Sequence, residues 1–197
     1  MPERTVVFLV YPGFQALDLA GPHEVLAAVD SYRCLVAALE PGPVRAESGL
    51  PMYASHGIAD IDPATVDTLV VAGGNGCDTA SRDPRLVAWV ADVAAHARRT
   101  ASVCSGVFVL AAAGLLAGRT VTTHWGRITQ FRREYPGVTL DPEPIFIHDG
   151  PIWSSAGVTA GMDLALALVE DDLGHATAHK IAQHLVLYLR RPGNQSQ

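Results

Sequence analysis

A chain of 197 residues with 49% hydrophobic and only 17% charged side chains suits one domain and buries a sizeable core without disulfide staples. A net charge of −6 excludes non-specific attraction to nucleic acid or an anionic membrane, which needs clustered Lys and Arg. Three cysteines far apart, Cys34, Cys77 and Cys104, exclude a disulfide framework and a CxxC zinc site and point to reduced thiols in the cytoplasm.

Residues 5–11, TVVFLVY, are β-branched and apolar throughout, the mark of a strand buried on both faces of a parallel sheet. Pro12-Gly13 cuts this run too short for a signal peptide, and no apolar run approaches membrane-spanning length. Gly21-Pro22 opens a helix, Pro being tolerated in a first turn, and the helix runs to about residue 29. Residues 32–39 read as a second buried strand, and 44–55 as short strands around Gly49-Leu50-Pro51. Residues 68–72, TLVVA, are a third core strand running into Gly73-Gly74-Asn75-Gly76.

Asp83 is the predicted N-cap of a helix from Pro84 to Ala97 whose apolar stripe includes Leu86, Val87, Val90 and Val93. A strand over 100–103 leads into Cys104 and Ser105-Gly106, then a helix over 107–114. A short strand at 120–123 and a helix at about 125–135 follow. Late strands at 138–140, 145–148 and 152–154 include a hairpin marked by Asp149-Gly150. A long apolar helix over 159–172 ends at Gly174, and an amphipathic helix over 176–190 closes the series. Alternating strands and helices predict βαβ units, right-handed crossovers and a mostly parallel sheet. The Pro/Gly/polar end, 192–197, reads as the start of a linker after a domain over 1–191.

The chemistry gathers at Cys104. Its position between a buried strand and a helix start sets it at the carboxyl edge of the sheet, where ligands bind. The helix end aims free N–H groups at the side chain, so a lowered thiol pKa is expected. Gly73, Gly74 and Asn75 belong to a flexible loop on the same edge, either able to aim N–H groups at an anion or oxyanion or an ordinary glycine turn. Asp18 is expected just before the first helix, as an acid on the Cys104 sulfur or simply as a helix-start acid. His124 is placed as a partner of Cys104 or, as the preferred reading, a hydrogen-bonded structural histidine. Cys34 reads as inert packing and Cys77 as a bystander. His175 and His179 share a helix face, better explained by solvent or a dimer contact than by metal. No metal or other cofactor is expected.

The segments TVVFLVYPGFQALDLAGPHEV, LVVAGGNG, ASVCSGVFVLAAAGLLAGRTVTTHW and SSAGVTAGMDLALALVE are similar to the ThiJ/PfpI superfamily. That resemblance implies an α/β, flavodoxin-like three-layer sandwich of the class I glutamine amidotransferase-like type, with Cys104 at a nucleophile elbow and homodimers common. Two branches share these motifs. In the isocyanide hydratase type, residues matching Cys104, Asp18 and Ser105 serve as nucleophile, acid and hydroxyl neighbour, the last being Thr in those enzymes. In AraC-type transcriptional regulators, such a domain binds a small effector and dimerises, and a C-terminal helix-turn-helix part contacts DNA. The ending LVLYLRRPGNQSQ favours the regulator branch, with Gly73, Gly74, Asn75 and His124 around the effector. Members with protease or glyoxalase-like activity usually carry His directly after the cysteine, where this chain has Ser105. Oxidation of Cys104 as a redox sensor is a third reading.

Overall fold

A computed structural model describes residues 3–187 and 191–197. Seven strands form one sheet in the order β10-β11-β7-β6-β1-β2-β5. They are β1 (Arg4–Leu9), β2 (Tyr32–Ala38), β5 (His56–Gly57), β6 (Val66–Val71), β7 (Arg99–Val103), β10 (Phe146–Asp149) and β11 (Ile152–Ser155). All neighbours are parallel except the β10–β11 hairpin. Two small pairs lie outside this sheet: β3 (Gly42–Arg45) with β4 (Pro51–Ala54), and β8 (Thr120–Val121) with β9 (Thr139–Leu140).

The β-branched runs occupy the middle. Val6, Val7, Phe8 and Leu9 of β1 are all buried, as are Leu69, Val70 and Val71 of β6. Helices cover both faces. On one side α1 (Ala16–Ala27) packs on β2 and on α6 (Ala160–Leu173), and α6 packs on β11 and α7 (His175–His184). On the other, α3 (Pro84–His96) packs on β6 and on α4 (Val107–Ala112), which lies on β7. Among the described residues the other α-helices are α2 (Cys77–Ala80) and α5 (Ile128–Glu134). This is the expected three-layer sandwich. Each fully buried Leu or Phe, such as Leu9, Phe108 or Leu164, contributes roughly 2 kcal/mol through apolar surface removed from water.

Two helix boundaries differ from expectation. α1 starts at Ala16, five residues before Gly21-Pro22, so Pro22 sits inside it and Asp18 lies in its first turn. The early start is fixed by tertiary contact: the Gln15 N–H donates to the Gly73 carbonyl at 2.8 Å, and the Asp18 N–H to the Gln15 carbonyl at 3.0 Å. α7 ends at His184 rather than Arg190, with Val186 at φ +54° beyond it; the predicted stretch 188–190 lies outside the described residues. Among the described residues no helix is long and apolar enough to cross a membrane.

Candidate functional site

Cys104 follows β7 directly and adopts φ +55°. That left-handed conformation is costly for a residue with a Cβ and marks the sharp strand-to-helix turn predicted for it. The turn closes because two glycines leave room. A Cβ on Gly73 would come within 2.5 Å of the Ser105 nitrogen, and one on Gly157 within 2.2 Å of the Cys104 Cβ. The Thr123 hydroxyl donates to the Cys104 carbonyl at 2.9 Å and steadies the turn from behind.

Asp18 is fully buried. Its two oxygens accept the N–H groups of Gly73 at 3.0 Å and Val158 at 2.8 Å. Burial raises its carboxyl to about 6, against these two N–H donors, with Glu47 adding to the rise. Each oxygen thus accepts one backbone N–H and keeps further capacity, and the Asp18 charge acts on Cys104.

The thiol departs from expectation. Burial pushes Cys104 up to about 12 and the Asp18 charge adds to the rise; the Ser105 amide and hydroxyl favour the thiolate but are outweighed. The predicted lowering by the helix end is thus overturned by desolvation. Burial raises Cys34 in the same way, to about 11.

The glycine loop matches the ordinary turn, of its two readings, rather than the open cradle. Its four N–H groups are all occupied: Gly73 by Asp18, Gly74 by the Ser105 hydroxyl at 2.9 Å, Asn75 by Glu47 at 2.9 Å and Gly76 by the Gly13 carbonyl at 3.0 Å. None is left to cradle an oxyanion. Ser105 returns a hydrogen bond to the Gly74 carbonyl at 3.0 Å, so its hydroxyl clamps the loop.

A pocket of about 290 Å³ opens over this group, lined among others by Glu47, Asn75, Cys104, His124, Arg127 and Val158. It brings together Gly74, Asn75, Cys104, Ser105 and His124, while Asp18 and Gly73 support it from below. The His124 Nδ1 accepts the Gly126 N–H at 3.2 Å. Burial lowers its pKa, helped by the Arg127 charge, so a neutral ring carries its proton on Nε2. His124 is both the structural histidine expected and a pocket wall.

Four contributors escaped the sequence reading. Val158, at φ +52°, supplies the N–H that holds Asp18. Gln15 donates to Glu47 at 2.9 Å, and Arg127 pairs with Asp78 at 2.6 Å while donating to the Cys77 sulfur at 3.1 Å. Cys77, taken as a bystander, is thus tied to the pocket wall through Arg127. The Ser-Ala-Gly-Val run around residue 157 was a usable signal. Nothing local marks Gln15, Glu47 or Arg127. His175 and His179 are exposed and stack on each other.

Residues 4–171 match the DJ-1/PfpI family. The chain is 34% identical over 181 residues to the isonitrile hydratase of Pseudomonas putida, covering 90% of this chain and 76% of that one. It is 32% identical over 195 residues to the HTH-type transcriptional regulator CdhR of Pseudomonas aeruginosa, covering 96% of this chain and 57% of the regulator; it therefore spans little more than half of that relative. The crystal structure of a ThiJ/PfpI family protein from Pseudomonas syringae superposes with a TM-score of 0.86 at 29% identity, covering 98% of this chain and 79% of that one. With its elbow cysteine, buried acid and parallel sheet, the chain belongs to the DJ-1/PfpI family.

Proposed function

We propose that the chain is the effector-sensing part of an AraC-type transcriptional regulator, binding a small molecule over Cys104. The observation that carries this reading is a pocket of about 290 Å³ floored by a thiol that burial keeps protonated, beside a loop with every N–H occupied. Such a site suits a small molecule, with the unpartnered Arg127 Nε and the His124 Nε2–H as donors on its wall; the glycine loop offers none to an oxyanion. Similarity to CdhR over nearly the whole chain supports it. In this reading DNA contact belongs to a helix-turn-helix part joined after residues 192–197, since a net charge of −6 disfavours phosphate binding by this part. The regulator works as a homodimer in the cytoplasm. The test is a thermal-shift screen of small polar metabolites. A true effector at a hundred times its Kd stabilises by about 2.7 kcal/mol, and a pocket-filling Cys104→Trp variant loses the response. A native chain that carries no DNA-binding segment beyond residue 197 overturns the reading.

A second reading is favoured by one specific observation: a carboxyl raised to about 6 beside the thiol. In an isonitrile hydratase-like reaction, Asp18 delivers a proton to the isocyanide carbon while the Cys104 sulfur bonds to that carbon. This gives R–N=CH–S–Cys104, the thiol proton passing to Asp18. Water then adds to the same carbon and the sulfur leaves as thiol, releasing R–NH–CHO. Formation of N-cyclohexylformamide from cyclohexyl isocyanide, abolished by Cys104→Ala and by Asp18→Asn, supports this reading. No turnover at high protein concentration ends it.

A further inference from the structure

The sequence RPGNQSQ over 191–197 offers no aliphatic or aromatic side chain except Pro192 to anchor it, yet the segment lies along the domain. Polar bonds hold it. At one end the Arg191 guanidinium donates to Asp163 at 3.0 and 2.7 Å and to the Thr159 hydroxyl at 2.9 Å, and its amide donates to Asp163 at 3.0 Å. In the middle the Gly193 and Gln195 carbonyls accept the N–H groups of Phe146 at 3.3 Å and Ile145 at 2.9 Å. At the far end the Gln197 side-chain amide reaches the Thr122 hydroxyl at 3.2 Å and the carbonyls of Thr123 at 3.0 Å and Pro142 at 2.9 Å.

Three anchors connect to the Cys104 turn through short chains of contacts. Thr159 follows Val158, whose N–H holds Asp18. The Ile145 carbonyl accepts the N–H of Ala156, the residue before Gly157, and Gly157 packs on the Cys104 Cβ. Thr123 donates to the Cys104 carbonyl. We infer that residues 191–197 form a strap whose docking is coupled to occupancy of the Cys104 pocket. A molecule that shifts Val158 or the Cys104 turn stretches the strap's bonds at Thr159 and Thr123. Because coupling between two sites is reciprocal, freeing the strap loosens the pocket in turn. Held by polar bonds near the surface, the strap belongs to the readily opened part of the fold. The sensing reading gives this coupling its purpose, since a segment joined after residue 197 would feel the strap move.

The test needs no effector, so its failure leaves the sensing reading standing. Hydrogen exchange on the wild-type chain should show the Ile145 and Phe146 amides protected; exchange at the rate of an unstructured peptide overturns the proposal. The double variant Arg191→Ala, Gln197→Ala should then lose that protection and raise the rate of Cys104 alkylation by iodoacetamide at least threefold relative to Cys34. Asn194→Ala, on the turn of the strap, should change neither. Protection lost with an unchanged Cys104 rate, or protection retained in the double variant, overturns the coupling.

Discussion

At Cys104 two opposing influences meet on one sulfur atom. The Ser105 amide favours the thiolate, while burial and the Asp18 charge favour the thiol and prevail, pushing the group up to about 12. The thiolate fraction at pH 8 therefore falls by roughly two to three orders of magnitude from that of an ordinary thiol, so Cys104 should react with iodoacetamide far more slowly than a free thiol. Mass-resolved alkylation checks this; a rate at pH 8 equal to that of free cysteine contradicts it. Asp18 moves the other way from a surface acid. Carbon-13 NMR of its carboxyl should give an apparent pKa of about 6, and a midpoint near 4 would mean that the carboxyl is solvated. Because the folded value lies above the unfolded one, Asp18 lowers stability progressively as pH rises from about 4 to about 6, and by a constant amount above that.

Among the elements, α3 shows local chemistry and packing in agreement. Asp83 accepts the Arg85 N–H at 2.9 Å, Pro84 takes the first helical position, and Leu86, Trp89, Val90 and Val93 face the core. Asp83→Ala should lower the melting temperature by a few degrees, since the cap satisfies a donor that the helix itself leaves free; circular dichroism melts read it, and an unchanged transition would show the cap to be idle. In α1, by contrast, Pro22 is a poor guide to the boundary, because contacts of residue 15 with the glycine loop start the helix earlier. In α7 the amphipathic pattern outlasts the helix.

Over the whole molecule, the carboxyl edge of the sheet carries the pocket and the opposite edge carries a buried ionic cluster. Asp172 joins Arg4 at 2.9 Å, Arg98 at 2.7 Å and Arg99 at 2.6 Å, and accepts the Tyr32 hydroxyl. Asp172 and Arg99 are both almost wholly buried. Burial would raise the Asp172 carboxyl, but the bonds from Arg98 and Tyr32 and the Arg99 charge hold it below the usual carboxylate range. Its contribution is therefore complete above the unfolded carboxyl value near 3.9 and is lost as pH falls through its lower folded value. Asp172→Asn should cost about 3 kcal/mol at neutral pH by removing the buried carboxylate that Arg4, Arg98 and Arg99 share, with only Asp67 and Asp171 left beside Arg98 and Arg99. Urea melts at pH 7 read the loss, and a variant as stable as wild type would show that the cluster contributes nothing.

The parallel sheet and the elbow at Cys104 were legible in the order of residues, while the three-layer arrangement came from the family resemblance. The sheet and the elbow follow from local features: β-branched runs, a capped amphipathic repeat, and small residues where a sharp turn needs them. The charge state of the thiol and the use of the glycine loop emerge only on folding. Both are questions of what surrounds a group. Burial set by β7, α1 and the residue-157 loop outweighs the nearby amide, and Asp18, Ser105, Glu47 and Gly13 come from segments far apart in the chain to occupy the four N–H groups of the loop. Composition and spacing do not encode such long-range partners, so a loop that reads as an open anion cradle is, once folded, already filled by its own protein.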